Sequence, residues 1–232
     1  MLGLRDEHGF TLVEMLVSIF AGLIVIFAAF AILDISLHQS SRIADRVSAD
    51  QRGRLAMEKI VLKLHSSCVA AETTPVEAGS EANKLLIVSQ TGAEASFAKV
   101  TLHEIVFSGE KLTDTSYLNT EKKPAPNWEF SGTPLGTQTL LTHVTRAKNS
   151  KGEEIPIFQY YKYEGSTLSA PLAVPLNATE ANATAAIAVN FTAAPESGNV
   201  GKITNDRTFD LSDTAVLRFS PASSSGTNIP CA

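Results

Sequence analysis

Few side chains in this sequence stand where catalysis would need them. His103 is followed by Glu104, but position 107 is Phe, so the second histidine of a zinc-protease helix is missing. Gly201-Lys202-Ile203 lacks both the upstream glycine and the Ser/Thr of a phosphate-binding loop. No G-x-S-x-G elbow is present. His38, His65, His103 and His143 are scattered and read as surface or internally bonded histidines, with no acid and base held together. Asp206, Asp210 and Asp213 cluster without the spacing of a calcium loop and read as turn and strand-end carboxylates. Three N-x-Thr sequons begin at Asn177, Asn182 and Asn190 and read as an Ala/Thr-rich loop and strand. The expectation is a chain that is not an enzyme, with no catalytic residue, no metal and no cofactor.

One carboxylate is placed where a charge is costly. Glu14 lies in the apolar stretch GFTLVEMLVSIFAGLIVIFAAFAIL (Gly9 to Leu33) and is followed by the uncharged run Met15 to Leu33. As a helix rising ~1.5 Å per residue, that run spans roughly 28 Å, close to the ~30 Å hydrocarbon core of a bilayer. Only Ser18 and Gly22 interrupt it, so it lacks the polar stripe of a buried core helix. A cleaved secretory signal fits poorly. The leader MLGLRDEHG sets one Arg against Asp6 and Glu7, and Asp34-Ile35-Ser36 is a poor small-x-small site. A carboxylate at the centre of a membrane helix costs ~2.5–3.5 kcal/mol, less near the interface. Glu14 therefore either marks the interface or waits for a partner.

The stretch resembles the cleavage and methylation motif of type IV prepilins and type II secretion pseudopilins. Gly9, Phe10, Thr11, Leu12, Val13 and Glu14 all match it. The resemblance implies that prepilin peptidase cuts after Gly9 and that the new amine of Phe10 is methylated. It also implies that Glu14 pairs with the N-terminal amine of a neighbouring subunit. Opposite charges close together in a low-dielectric medium attract strongly, and each offsets the other's desolvation. The implied partners are the peptidase/methyltransferase, other pilins or pseudopilins met through the N-terminal helix, and the inner or cytoplasmic membrane before assembly. The resemblance places the leader in the cytoplasm of a prokaryote and the rest outside, at the cell surface or in a periplasmic filament.

These residues need a long helix to carry them. No Pro occurs before Pro75, and Gly22 and Gly53 are the only glycines between Phe10 and Gly79. The expected organisation is a leader over 1–9, a transmembrane stem over 10–33, an amphipathic continuation of the helix over 34–70, and an extracytoplasmic β-rich head over 71–232. Gly22 and Gly53 read as points of flexibility. Predicted strands are Lys84–Ser89, Lys99–Phe107, Leu112–Leu118, Thr139–Thr145, Ile155–Tyr163, Ala185–Thr192 and Ala215–Phe219, with Ser108-Gly109-Glu110-Lys111 as a hairpin turn. Thr120–Asn127 and Glu196–Asp206 read as loops. The fold class is α+β, a long N-terminal helix packed on a β-rich head, which is also the pilin-like shape.

Composition narrows the partners. The 232-residue chain has a formal charge of −5, which predicts no nucleic-acid binding. Arg42 to Lys63 is locally basic but interleaved with Asp45, Asp50 and Glu58, as on a solvated helix face; contact with anionic headgroups or acidic neighbours is the other reading. Cys68 and Cys231 are the two cysteines. An extracytoplasmic head would permit a disulfide between them; two free thiols are the alternative. Length, the run Leu140-Leu141-Thr142-His143-Val144 and the strand FQYYKY (Phe158–Tyr163) lean toward J-type minor pseudopilins and W-type minor pilins. A filament-tip binding module, an adhesin or DNA-uptake subunit, is the second reading; the aromatic strand is its only support.

Overall fold

The computed structural model describes residues 11–68, 75–90, 100–120, 122, 128–196 and 207–217. The first element is a 54-residue helix, α1 (Leu12–His65). Ten strands and one short helix follow: β1 (Lys84–Gln90), β2 (Val100–Ser108), β3 (Lys111–Leu118), β4 (Gly136–Thr142), β5 (Val144–Thr145), β6 (Phe158–Tyr161), β7 (Tyr163–Glu164), β8 (Thr167–Leu168), α2 (Ala178–Ala183), β9 (Ala186–Ala193) and β10 (Phe209–Val216). Two compact units result, Met1–Ala44 and Asp45–Ala232.

In the first unit α1 is apolar around its whole circumference from Met15 to Leu33, beyond Glu14 in its first turn. Leu12, Val13, Leu16, Ile19, Phe20, Ile24, Phe27 and Phe30 are all exposed. A helix that is hydrophobic all round needs an apolar surrounding. This one is long and apolar enough to cross a membrane.

In the second unit α1 turns amphipathic. Ala49, Gly53, Ala56, Met57, Ile60 and Leu64 are buried, at steps of three and four that mark one helix face. Gly53 is there for packing. A Cβ at this position would run into Leu211 Cδ1 and lie 3.0 Å from the Ala193 Cβ, so the glycine lets the helix approach β9 and β10. The expected role of Gly53 as a flexible point gives way to this close contact. The helix ends at His65, four residues before the expected end near Val69, because the chain turns at Ser66 to form a bridge from Ser67 to Ser89 on β1.

Among the described residues the head contains two four-stranded antiparallel sheets and one two-stranded ribbon, β7 with β8. The first sheet runs β1-β2-β3-β4. Gly109 and Glu110 link β2 to β3 with φ of 55° and 62°, the double left-handed turn that matches the twist of a hairpin. In the second sheet β9 is central, with β10 on one side and β5 and β6 on the other. Every residue of β9 is buried, as its near-continuous apolar sequence requires. One core joins the buried face of α1 to Leu85, Ile87, Ile105 and Leu112 from the first sheet and to Phe158, Tyr160, Ile187, Val189 and Phe191 from the second.

The predicted strands map onto the observed ones with shifted ends. Thr139–Thr145 divides at His143, whose φ of 58° ends β4 and starts β5. Strand β10 begins at Phe209, six residues before the expected start, because its alternating polar side chains (Asp210, Ser212) conceal a strand with one face in water.

Candidate functional site

Glu14 stands in the first turn of α1, and its surroundings are local. Thr11 precedes the helix. Its backbone carbonyl accepts from Glu14 N at 3.1 Å and from Met15 N at 3.2 Å. Its hydroxyl accepts from Glu14 N at 3.3 Å and donates to Glu14 Oε2 at 3.4 Å, while Thr11 N donates to the same oxygen at 3.5 Å. Thr-x-x-Glu is a capping box, in which the first and fourth residues satisfy each other's unpaired amides. The motif is legible in TLVE, but reading Glu14 only as a charge passes over it. One turn further on, the Ser18 hydroxyl donates to Glu14 O at 2.7 Å.

The chemistry this arrangement permits is partner exchange. The carboxylate bonds to Thr11 are long for hydrogen bonds and therefore weak. An ammonium group brought to Oε2 would make a stronger, charge-assisted bond. Gly9 and Phe10, the expected cleavage and methylation residues, lie outside the described residues.

Cys68 follows the end of α1. It is completely buried beside Val88, Val100 and Trp128, its amide donates to Val88 O at 3.0 Å, and it is held in a disulfide. Cys231 lies outside the described residues.

A second group of polar side chains meets inside the head. Lys63 from α1 lies 3.0 Å from Asp114 Oδ2 on β3. His103 Nδ1 on β2 is 3.0 Å from Asp114 Oδ1 and 3.2 Å from Lys63 Nζ. Asp114 and His103 are only 5% and 6% exposed. Burial pushes the Asp114 carboxyl up, but the hydrogen bonds and charges of His103 and Lys63 together hold it below its ordinary range. In the sequence His103 is one of five scattered histidines, and its partners, 11 and 40 residues away, carry no sequence signal.

The other flagged residues separate. His38 Nδ1 bonds to Asp34 O within α1. His65 borders a groove of about 520 Å³ formed with Arg54, Met57, Leu62, Leu211 and Asp213. Asp210 accepts from Thr192 Oγ1 at 2.5 Å and Asp213 from Thr214 N at 2.7 Å, so the two carboxylates serve different partners; Asp206 lies outside the described residues. Among the described residues no group of His, Cys, Asp and Glu could hold a metal ion. Asn177 caps α2, and Asn190 is buried with its oxygen accepting from Ser212 Oγ. Phe158 and Tyr160 of the aromatic strand point into the core, where burial pushes the Tyr160 phenol far up and its hydroxyl donates to Lys84 O at 2.9 Å. The basic stretch of α1 is laced with pairs, including Arg54 to Asp50 at 2.6 Å, Arg207 to Asp45 at 3.2 Å and Arg52 to Glu196 at 3.2 Å.

No curated protein matches this chain. Residues 4–30 match the family model described as the prokaryotic N-terminal methylation motif. That match covers the expected Gly9–Phe10 junction, the capping box and most of the apolar run, and it describes a structural motif and not an enzyme. With this motif at the head of a long apolar helix and a β-rich domain behind it, the chain carries the N-terminal signature of type IV prepilins and pseudopilins.

Proposed function

We propose that this chain is a minor pilin-like subunit, inserted with residues 1–9 in the cytoplasm, cleaved after Gly9 and assembled through α1 into a type IV pilus or a type II secretion pseudopilus. The observation that carries the reading is the methylation motif at residues 4–30 on a helix long and apolar enough to cross a membrane. Cleavage would create an amine on Phe10, and methylation would keep it cationic. In the membrane Glu14 would rest on Thr11; on assembly it would exchange that bond for the amine of a neighbour. Each charge would then be offset in a medium that cannot hydrate it. The register between subunits would follow from that pairing.

From residue 34 to its end at His65 the helix would continue out of the membrane, and the residues after it would form the head. Pairing of Cys68 with Cys231 would tie the C-terminus to the end of α1. The sequence cues for a minor subunit remain the length and the loose patterns of the head. The tip-binding alternative loses support, because the inward face of the aromatic strand is spent on core packing.

Quantitative mass spectrometry of filaments sheared from native cells tests the reading, with the N-terminal peptide read in the same run. A trace amount relative to another pilin, beginning at methylated Phe10, is expected for a minor pilus subunit. A processed chain absent from sheared filaments assigns it to the secretion pseudopilus. A functional chain that still begins at Met1 overturns the proposal.

A further inference from the structure

We propose that Lys63, His103 and Asp114 form a proton-operated joint between α1 and the first sheet, in which proton uptake at His103 keeps the Asp114 carboxylate bonded within the sheet and releases its partner on the helix. The joint rests on the packing of α1 against the head and stands apart from the filament reading.

The geometry sets the conflict. His103 Nδ1 has two close neighbours that ask opposite things of it: Asp114 Oδ1 at 3.0 Å accepts a proton, and Lys63 Nζ at 3.2 Å donates one. With a lone pair on Nδ1, the ring and Asp114 Oδ1 are two acceptors side by side, and the Lys63 ammonium between them donates to both the ring and Asp114 Oδ2, offsetting their repulsion and tying the helix to β2 and β3 at once. With Nδ1 protonated, the ring donates to Oδ1, and Nζ and Nδ1 become two donors facing each other. A cationic ring adds like-charge repulsion at that distance, in a site largely closed to water. One carboxylate then serves two cations.

Lys63 is the member free to leave. Its side chain is 21% exposed, against 8% for His103 and 5% for Asp114. An ammonium on a flexible stem is also readily rehydrated. His103 is fixed between Ile87 of β1 and Ser116 of β3, its cross-strand neighbours. Among the described residues, the charged groups in contact with the ring are Lys63 from α1 and Asp114 from β3, with Lys59 the next cation one turn back on α1. Adjacent Glu104 is engaged elsewhere, accepting from the Tyr117 hydroxyl at 2.9 Å. Acid would therefore leave a His103–Asp114 bond within the sheet and send Lys63 into water, loosening the last turn of α1.

The test follows the full chain in lipid nanodiscs from about pH 8 to about pH 5, the span in which histidines charge. Amide exchange of residues 59–65, corrected for intrinsic pH dependence, is expected to quicken roughly tenfold on the acid side, while β2 and β3 keep their protection. The ring nitrogen signals of His103 should change over the same interval. His103→Gln is expected to abolish the acid response, and Lys63→Met to make exchange fast at every pH. The same acid response in His103→Gln overturns the joint. So does wild-type protein in which 59–65 stays protected although the ring has become protonated, or in which the ring signals never change. The wild-type readings stand alone if a variant does not fold.

Discussion

In the proposed assembly Glu14 would carry two jobs in one side chain, a helix cap toward Thr11 and a charge toward a neighbour's amine, and two substitutions separate them. Glutamine serves the capping box as well as glutamate does, but brings no charge. Glu14→Gln should therefore keep the start of α1 at Leu12 and still be missing from sheared filaments, as Glu14→Ala should be. Normal incorporation of Glu14→Gln would sink the charge-pairing idea and leave the cap as the residue's role. Asp114 offers a second prediction. Its folded carboxyl titrates below the ordinary range, so folding favours the ionised form. That stabilisation is complete above the unfolded value of about 3.9 and is lost as the pH falls through the lower folded value. Breaking a buried pair costs about 3–5 kcal/mol, and the partial exposure of Lys63 reduces this to about 2 kcal/mol for Asp114→Asn near neutral pH. Denaturant titrations should show the gap between wild type and variant closing in strong acid. A gap independent of pH would assign the loss to packing.

At the scale of elements, the two glycines of α1 make opposite predictions. Among the described residues none comes within 4 Å of where a Gly22 side chain would begin, whereas Gly53 faces Leu211 and Ala193. Helix propensity alone favours alanine at both by ~1 kcal/mol. Gly22→Ala should realise that gain. Gly53→Ala should instead destabilise the head by about 1–3 kcal/mol, the cost of overpacking, and thermal unfolding of the two variants would show the contrast. The same pair shows what the sequence could and could not tell. An unbroken apolar run, a Thr-x-x-Glu start and the absence of proline announce α1, because helix signals are local. The hairpin at Gly109-Glu110 and the buried run of β9 are legible for the same reason. The contact at Gly53 and the meeting of Lys63, His103 and Asp114 depend on which strands lie opposite the helix, and no local pattern encodes that. Strand β10 was half hidden because a strand with one wet face looks polar along much of its length.

At the scale of the molecule, a bond between Cys68 and Cys231 would fix the far end of the head. Cys68 sits directly after α1, fully buried and oxidised, and the sequence has one other cysteine, Cys231, at its penultimate position. Pairing of the two would close nearly the whole head into one loop. In the chain-entropy model a loop longer than 100 residues gains about 5 kcal/mol from the restricted unfolded chain. The helix terminus would also become the anchor for the segment after β10, so that α1, β1 and the C-terminus yield together. Cys231→Ser should lower the unfolding free energy of the oxidised protein, read from denaturant titration, by about 2–5 kcal/mol, and adding reductant to wild type should reproduce the loss. Reductant should have no further effect on the variant. The control matters because Cys68 lies among Val88, Val100 and Trp128, where a freed thiol still packs as a small apolar group. A variant as stable as the oxidised wild type would show that the bond adds nothing the core does not already supply, and that the head closes through packing alone.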